Sequence, residues 1–129
     1  MEMAIKLKVV SFKEEYKSFG YAAKGAWKSL MERHVRFHLI SFLLVLVVNY
    51  LLNLNTMEWA VTVVAATLVL SMEVMNTVIE DLMDFVHPDR HPSVGRIKDL
   101  AAGAVFFAAG GALIVAGLIY GPKIWDLLA

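Results

Sequence analysis

An apolar run from Trp59 to Leu70 passes without a break into SMEVMNTVIEDLMD, which carries Glu73, Asn76, Glu80, Asp81 and Asp84. At about 100° per residue, steps of three, four and seven bring Glu73, Asn76, Thr77, Glu80 and Asp84 onto one narrow helical face. The acidic chemistry of this stretch therefore points one way. A carboxylate on or near a membrane span costs roughly 2.5 to 3.5 kcal/mol on insertion scales, so such groups face a protein interior or a polar site. A soluble amphipathic helix with a wet acidic face is the alternative, and the neighbouring segments weigh against it.

Those segments are too apolar for an ordinary soluble domain. Of 129 residues, 59% are hydrophobic and 19% charged, with mean hydropathy +0.63. That length accommodates about three spans of roughly 20 residues each, so an all-α membrane protein of a single domain over residues 1–129 is expected. The absence of cysteine excludes disulfides, thiolate metal sites and cysteine nucleophiles. Formal net charge is zero, yet eight of the twelve Lys and Arg residues precede Phe37, which favours an anionic surface over nucleic acid. The N-terminal segment has neither the apolar core nor the small-residue cleavage site of a signal peptide.

Residues 4–34 interleave Leu7, Val9, Val10, Phe12, Tyr16, Phe19, Trp27 and Leu30 with six lysines. This pattern predicts a basic amphipathic helix at the inner membrane interface, bent or broken around Gly20, serving as a lid or as a plain anchor. Spans are expected at 37–54, 57–84 and 100–120, with a turn at Asn53 to Thr56. Glu58 and Trp59 mark the following interface, and the third span stops before Gly121 and Pro122. Positive charge in the N-terminal segment and in loop 85–99 (Arg90, Arg96, Lys98) places both on the cytoplasmic side of the membrane. Ala104, Ala108, Ala112 and Ala116 recur every fourth residue in the third span, with Gly103, Gly110 and Gly117 every seventh, as at a crowded helix interface within or between subunits. Tyr120 and Trp125 read as outer-interface anchors.

The acidic stripe ends where the basic loop begins. Carboxylates without cysteine suit a hard ion such as magnesium, which takes a few carboxylates together with phosphate oxygens. Lys and Arg beside them suit phosphate, and the combination describes phosphoryl transfer from a nucleotide. His87 and His91 suggest zinc by spacing, but Pro88 and Pro92 oppose a regular helix there. No Walker-type or kinase-type glycine-rich loop is present.

These residues carry a resemblance. Glu73-x-x-Asn76-Thr77-x-Ile79-Glu80-x-x-x-Asp84, followed by Lys98-Asp99-x-Ala101-Ala102-Gly103-Ala104-Val105, is similar to the signature of the small bacterial integral-membrane diacylglycerol kinases. Glu32-Arg33-x-x-x-Phe37-His38 and Glu58-Trp59 look more like the Gram-positive branch, whose members phosphorylate undecaprenol. The resemblance runs from about residue 18 to the end of the third span. It implies a homotrimeric lipid kinase with shared sites that uses ATP and Mg2+ on a membrane lipid alcohol, undecaprenol or diacylglycerol. By the same resemblance Glu73 is the general base, Glu80 and Glu32 hold magnesium, and Asn76 and Asp84 orient the carboxylates. Lys98, Asp99, Asp89, Arg90, His91 and Tyr21 bind ATP. Two departures stand out: Gly25 to Glu32 is one residue shorter than the family spacing, and His34-Val35 replaces the usual Asn-aromatic pair.

Two other classes compete with this reading. A small transporter or proton-relay subunit would use Glu73 and Glu80 to carry protons, although the repeated halves and broken spans of transporters are not evident. A non-catalytic scaffold would explain the small-residue stripe but leave the clustered acids and Lys98-Asp99 without a task.

Overall fold

A computed structural model describes residues 12–89 and 91–129. Among them are four helices and no strand: α1 (Phe12–Ser29), α2 (Arg33–Leu51), α3 (Thr56–Val86) and α4 (Pro92–Leu128). The last three are long and apolar enough to cross a membrane. The chain is thus an all-helical membrane protein, with three spans as its composition requires.

The segment up to Glu32 forms one unit and Arg33–Ala129 another. In the first, α1 runs through Gly20 as one helix, so the chain is not broken there. Tyr16, Phe19, Ala23 and Trp27 repeat at helical spacing along one side, with Lys17, Lys24 and Lys28 on the adjoining flank, which is the amphipathic pattern expected. The proposed extension of this helix back to residue 4 lies outside the described residues.

In the second unit α3 is the central element and packs against both α2 and α4. The α2–α3 turn sits one residue earlier than expected, at Leu52 to Asn55. Its geometry follows from three residues. Asn53 takes φ 48°, a left-handed conformation that asparagine tolerates. Leu54 N–H then donates to Asn49 O (3.1 Å) and Asn53 N–H to Tyr50 O (3.2 Å), which closes α2 with paired carbonyls while Leu54 is buried beneath. Asn55 starts α3 with a capping box: its side chain accepts from Glu58 N–H (3.0 Å) and the Glu58 carboxylate accepts from Asn55 N–H (2.8 Å).

At the same end a polar clamp ties the three spans together. Asn49 of α2 is fully buried, donates to Thr62 Oγ1 of α3 (2.7 Å) and accepts from the Tyr120 hydroxyl of α4 (2.6 Å). Thr62 passes its own proton to the Glu58 carbonyl (2.8 Å), and Lys123 reaches the Glu58 carboxylate at 3.2 Å. Tyr120 therefore has its hydroxyl turned inward onto Asn49, in contrast to the expected interfacial anchor. Replacing Asn49 with Leu should lower the thermal transition in detergent, because Thr62 and Tyr120 lose their shared partner. The cost should be about 1 to 3 kcal/mol, against roughly 0.6 for one average interhelical bond removed by Tyr120→Phe. An unchanged transition in Asn49→Leu protein would show that the clamp adds nothing to stability.

The fourth helix departs most from expectation, running from Pro92 to Leu128 where 100–120 was expected. At its start the His91 side chain accepts from Ser93 N–H (3.1 Å), and Pro92 occupies the first turn, where a missing N–H costs nothing. Arg96, Lys98 and Asp99 thus sit on a helix and not in a loop. At its end the helix passes through Pro122. Gly121 has no Cβ to meet the proline ring, and the Tyr120 and Lys123 contacts hold the turns on either side. An added Cβ at Gly103, Gly110 or Gly117 would meet nothing within 4 Å, so these glycines make no close helix contact within the chain.

Candidate active site

Glu73 lies midway along α3 and is 7% exposed, buried together with Thr62 and Val69 of the same helix. His38 of α2 faces it, with Nε2 3.6 Å from Glu73 Oε2. Thr77, one turn on, donates to the Glu73 carbonyl (3.1 Å) and leaves the carboxylate free of that bond. Asn76 donates through Nδ2 to Glu80 Oε1 (3.0 Å), while its Oδ1 is buried without a partner. Glu73 and Glu80 lie two turns apart on one face, separated by about 10 Å of helix rise.

From Glu73 toward the start of α3, the second unit contains an apolar groove of about 310 Å³, bounded by Phe37, His38 and Phe42 of α2, Val69 of α3, and Ala112 and Ala116 of α4. It runs along the spans and has His38 at its polar end.

Toward the other end, α3 stops at Val86 and α4 starts at Pro92. His87 closes one helix, its N–H donating to Met83 O, and His91 opens the next. The two histidines thus flank the break and do not share a helical face. Their rings are tilted, with centroids 5.4 Å apart. A cleft of about 490 Å³ opens here, a size in the range of small-molecule sites, lined by Asp84, His87, Asp89, His91 and Lys98 with Pro88, Pro92, Val94 and Gly95. Lys98 pairs with Asp84 across the two helices. The carboxylate of that pair is 64% exposed, so the bond is a weak one and its ammonium is open to a competing anion at little cost.

Five of the residues singled out in the sequence, Asp84, His87, Asp89, His91 and Lys98, line this cleft. Glu73, Asn76 and Glu80 form a second group farther along α3. Asp84 pairs with Lys98; it is about 16 Å of helix rise from Glu73 and one turn from Glu80. Asp99 is exposed on α4 beside Lys98 and does not line the cleft. Tyr21 lies in α1, and Glu32 follows its last turn, donating N–H to Ser29 O (3.0 Å); both belong to the first unit. Arg90 lies outside the described residues. No three His, Asp or Glu side chains converge on a metal position among the described residues. The oxygens of Glu80 and Asn76 are hard donors of the kind magnesium accepts, and the unpartnered Asn76 Oδ1 fits such a role. His38 escaped the site reading because its partner is 35 positions away on another helix. The buried Asn49 was marked only by being polar within an apolar span.

Fold and site together define a three-span membrane protein whose central helix carries a buried carboxylate and ends at a charged cleft. The chain matches the prokaryotic diacylglycerol kinase family over residues 20–120, and it belongs to that family. It is 34% identical to the undecaprenol kinase of Bacillus subtilis (strain 168) over 110 residues, 84% of this chain and 89% of the relative. It is 33% identical to a diacylglycerol kinase of Synechocystis over 86% of this chain and 65% of that protein. With the diacylglycerol kinase of Escherichia coli (strain K12) it shares 28% identity, over 85% of this chain and 88% of the relative.

Proposed function

We propose that the chain transfers the γ-phosphate of ATP to the hydroxyl of a membrane lipid alcohol, with undecaprenol as the preferred acceptor and diacylglycerol as the lesser one. Membership of a lipid kinase family makes it a lipid kinase. The choice of undecaprenol rests on the likeness to the Bacillus protein and on the Glu32-Arg33 and Glu58-Trp59 pattern. The observation that carries the site assignment is the α3 face, where buried Glu73 sits between an apolar groove and the charged cleft.

Glu73 acts as the base. It takes the proton of the lipid hydroxyl as the lipid oxygen bonds to the γ-phosphorus and the bond from phosphorus to ADP breaks. The groove beside His38 suits an acyl or isoprenoid chain, which would bring its hydroxyl to the carboxylate. The cleft suits the nucleotide: Lys98, freed from Asp84, meets phosphate beside Asp89 and His91, while the family resemblance adds Arg90, Asp99 and Tyr21 to the ATP-binding set. Asp84 holds Lys98 when phosphate is absent. Asn76 orients Glu80, and Glu80 with Glu32 would hold magnesium. That ion supplies charge neutralisation at the phosphate oxygens. The cleft and the N-terminal segment face the cytoplasm of a bacterial plasma membrane, where ATP is found, in accord with their positive charge. Assembly as a homotrimer would allow Glu32 to contribute to a shared site and would cover the open glycines of α4.

The acceptor assignment is tested by supplying ATP with undecaprenol or diacylglycerol in parallel mixed micelles. A higher kcat/KM for undecaprenol is expected; a higher value for diacylglycerol would reverse the assignment.

A further inference from the structure

We infer that His38 is the proton exit of the site: its imidazole takes from Glu73 the proton that each turnover leaves there and passes it to water. This rests on the reading of Glu73 as base. A base buried to 7% exposure accumulates one proton per phosphate transferred and cannot act again until that proton has left. Its surroundings give it few ways out. Thr77 is committed to the Glu73 backbone carbonyl and Asn76 to Glu80. The α4 residues bordering the groove, Ala109, Ala112, Leu113 and Ala116, carry no ionisable group. Among the described residues His38 is the one basic side chain within 4.0 Å of this carboxylate, and it is the more accessible of the two, with side-chain exposure 22% against 9%.

The 3.6 Å separation is longer than a hydrogen bond. It leaves the two groups adjacent and not yet bonded. Once Glu73 holds the proton, Oε2–H can donate to Nε2, and a small rotation closes the gap. The proton then bonds to Nε2 and its bond to Oε2 breaks, restoring the carboxylate. Nδ1 releases its own proton to water, and exchange between the ring nitrogens resets the imidazole. Phe37 lies edge-on to the His38 ring, with centroids 5.4 Å apart.

The test is rapid-quench and steady-state kinetics on His38→Ala and His38→Gln protein in nanodiscs. The first turnover needs only an ionised Glu73, so both variants should form about one lipid phosphate per site at the wild-type rate. Later turnovers should then be slowed about tenfold or more, with kcat/KM for ATP and lipid little changed. Added imidazole should restore the steady state of His38→Ala in proportion to its unprotonated form. His38→Gln retains the packing if the alanine variant fails to fold, and wild-type steady-state turnover in it would overturn the proton exit. So would a first turnover slowed as much as the rest, which marks a positional defect. Glu73→Gln, run alongside, separates the two claims: full transfer by that protein removes the base itself, whereas its inactivity beside an unimpaired His38→Gln removes only the exit.

Discussion

Glu73→Gln should reduce phosphate transfer to lipid by about 10² to 10⁴-fold, the range expected for loss of a positioned general base, while leaving ATP affinity nearly unchanged. The amide keeps the size of the side chain and so the packing of a buried residue one turn from Val69. It cannot accept the hydroxyl proton. The proposed nucleotide cleft begins about 16 Å farther along α3, so the contacts made there are untouched by this substitution, although the γ-phosphate must extend from it to Glu73. Turnover and equilibrium nucleotide binding measured on one preparation would decide the matter. A comparable loss in both would make Glu73 a binding or folding residue.

Glu80→Gln should differ in kind. Asn76 Nδ2 can still donate to the new amide oxygen, so the local helix face survives. What disappears is the charge that a divalent cation needs. Turnover should be lost and magnesium-dependent ATP binding weakened by about 10- to 100-fold, the worth of one charged interaction of roughly 1.5 to 3 kcal/mol. ATP binding without magnesium should change little. Full magnesium-dependent turnover by Glu80→Gln protein would remove Glu80 from the metal site.

Much of the fold could be read from period and length. Three apolar runs separated by polar turns give three spans, and the period of 3.6 puts Glu73, Asn76, Glu80 and Asp84 on one face before any partner is known. Helix ends were less legible because proline has two opposite meanings. Pro92 begins α4, where the chain lacks a hydrogen bond anyway, and Pro122 is carried inside it, beside a glycine and between two cross-helix contacts. Periodicity also reveals a face without revealing what covers it. Asn49, Thr62 and Tyr120 are spread over 71 positions, and their network exists only once α2, α3 and α4 are packed. His38 and Glu73 are hidden in the same way. The Asp84–Lys98 pair spans the break between α3 and α4, and no spacing rule in the sequence gives it.

The central claim is that the α3 face moves phosphate onto a lipid and does not merely conduct protons. Its most direct test uses purified protein in liposomes with γ-labelled ATP and either undecaprenol or diacylglycerol, following label in the extracted lipid and proton flux in the same vesicles. Wild-type protein should place label in the lipid, Glu73→Gln should place almost none, and neither should conduct protons in the absence of ATP. No labelled lipid with either alcohol, together with proton flux that Glu73→Gln stops, would contradict the account and make the buried carboxylate part of a relay.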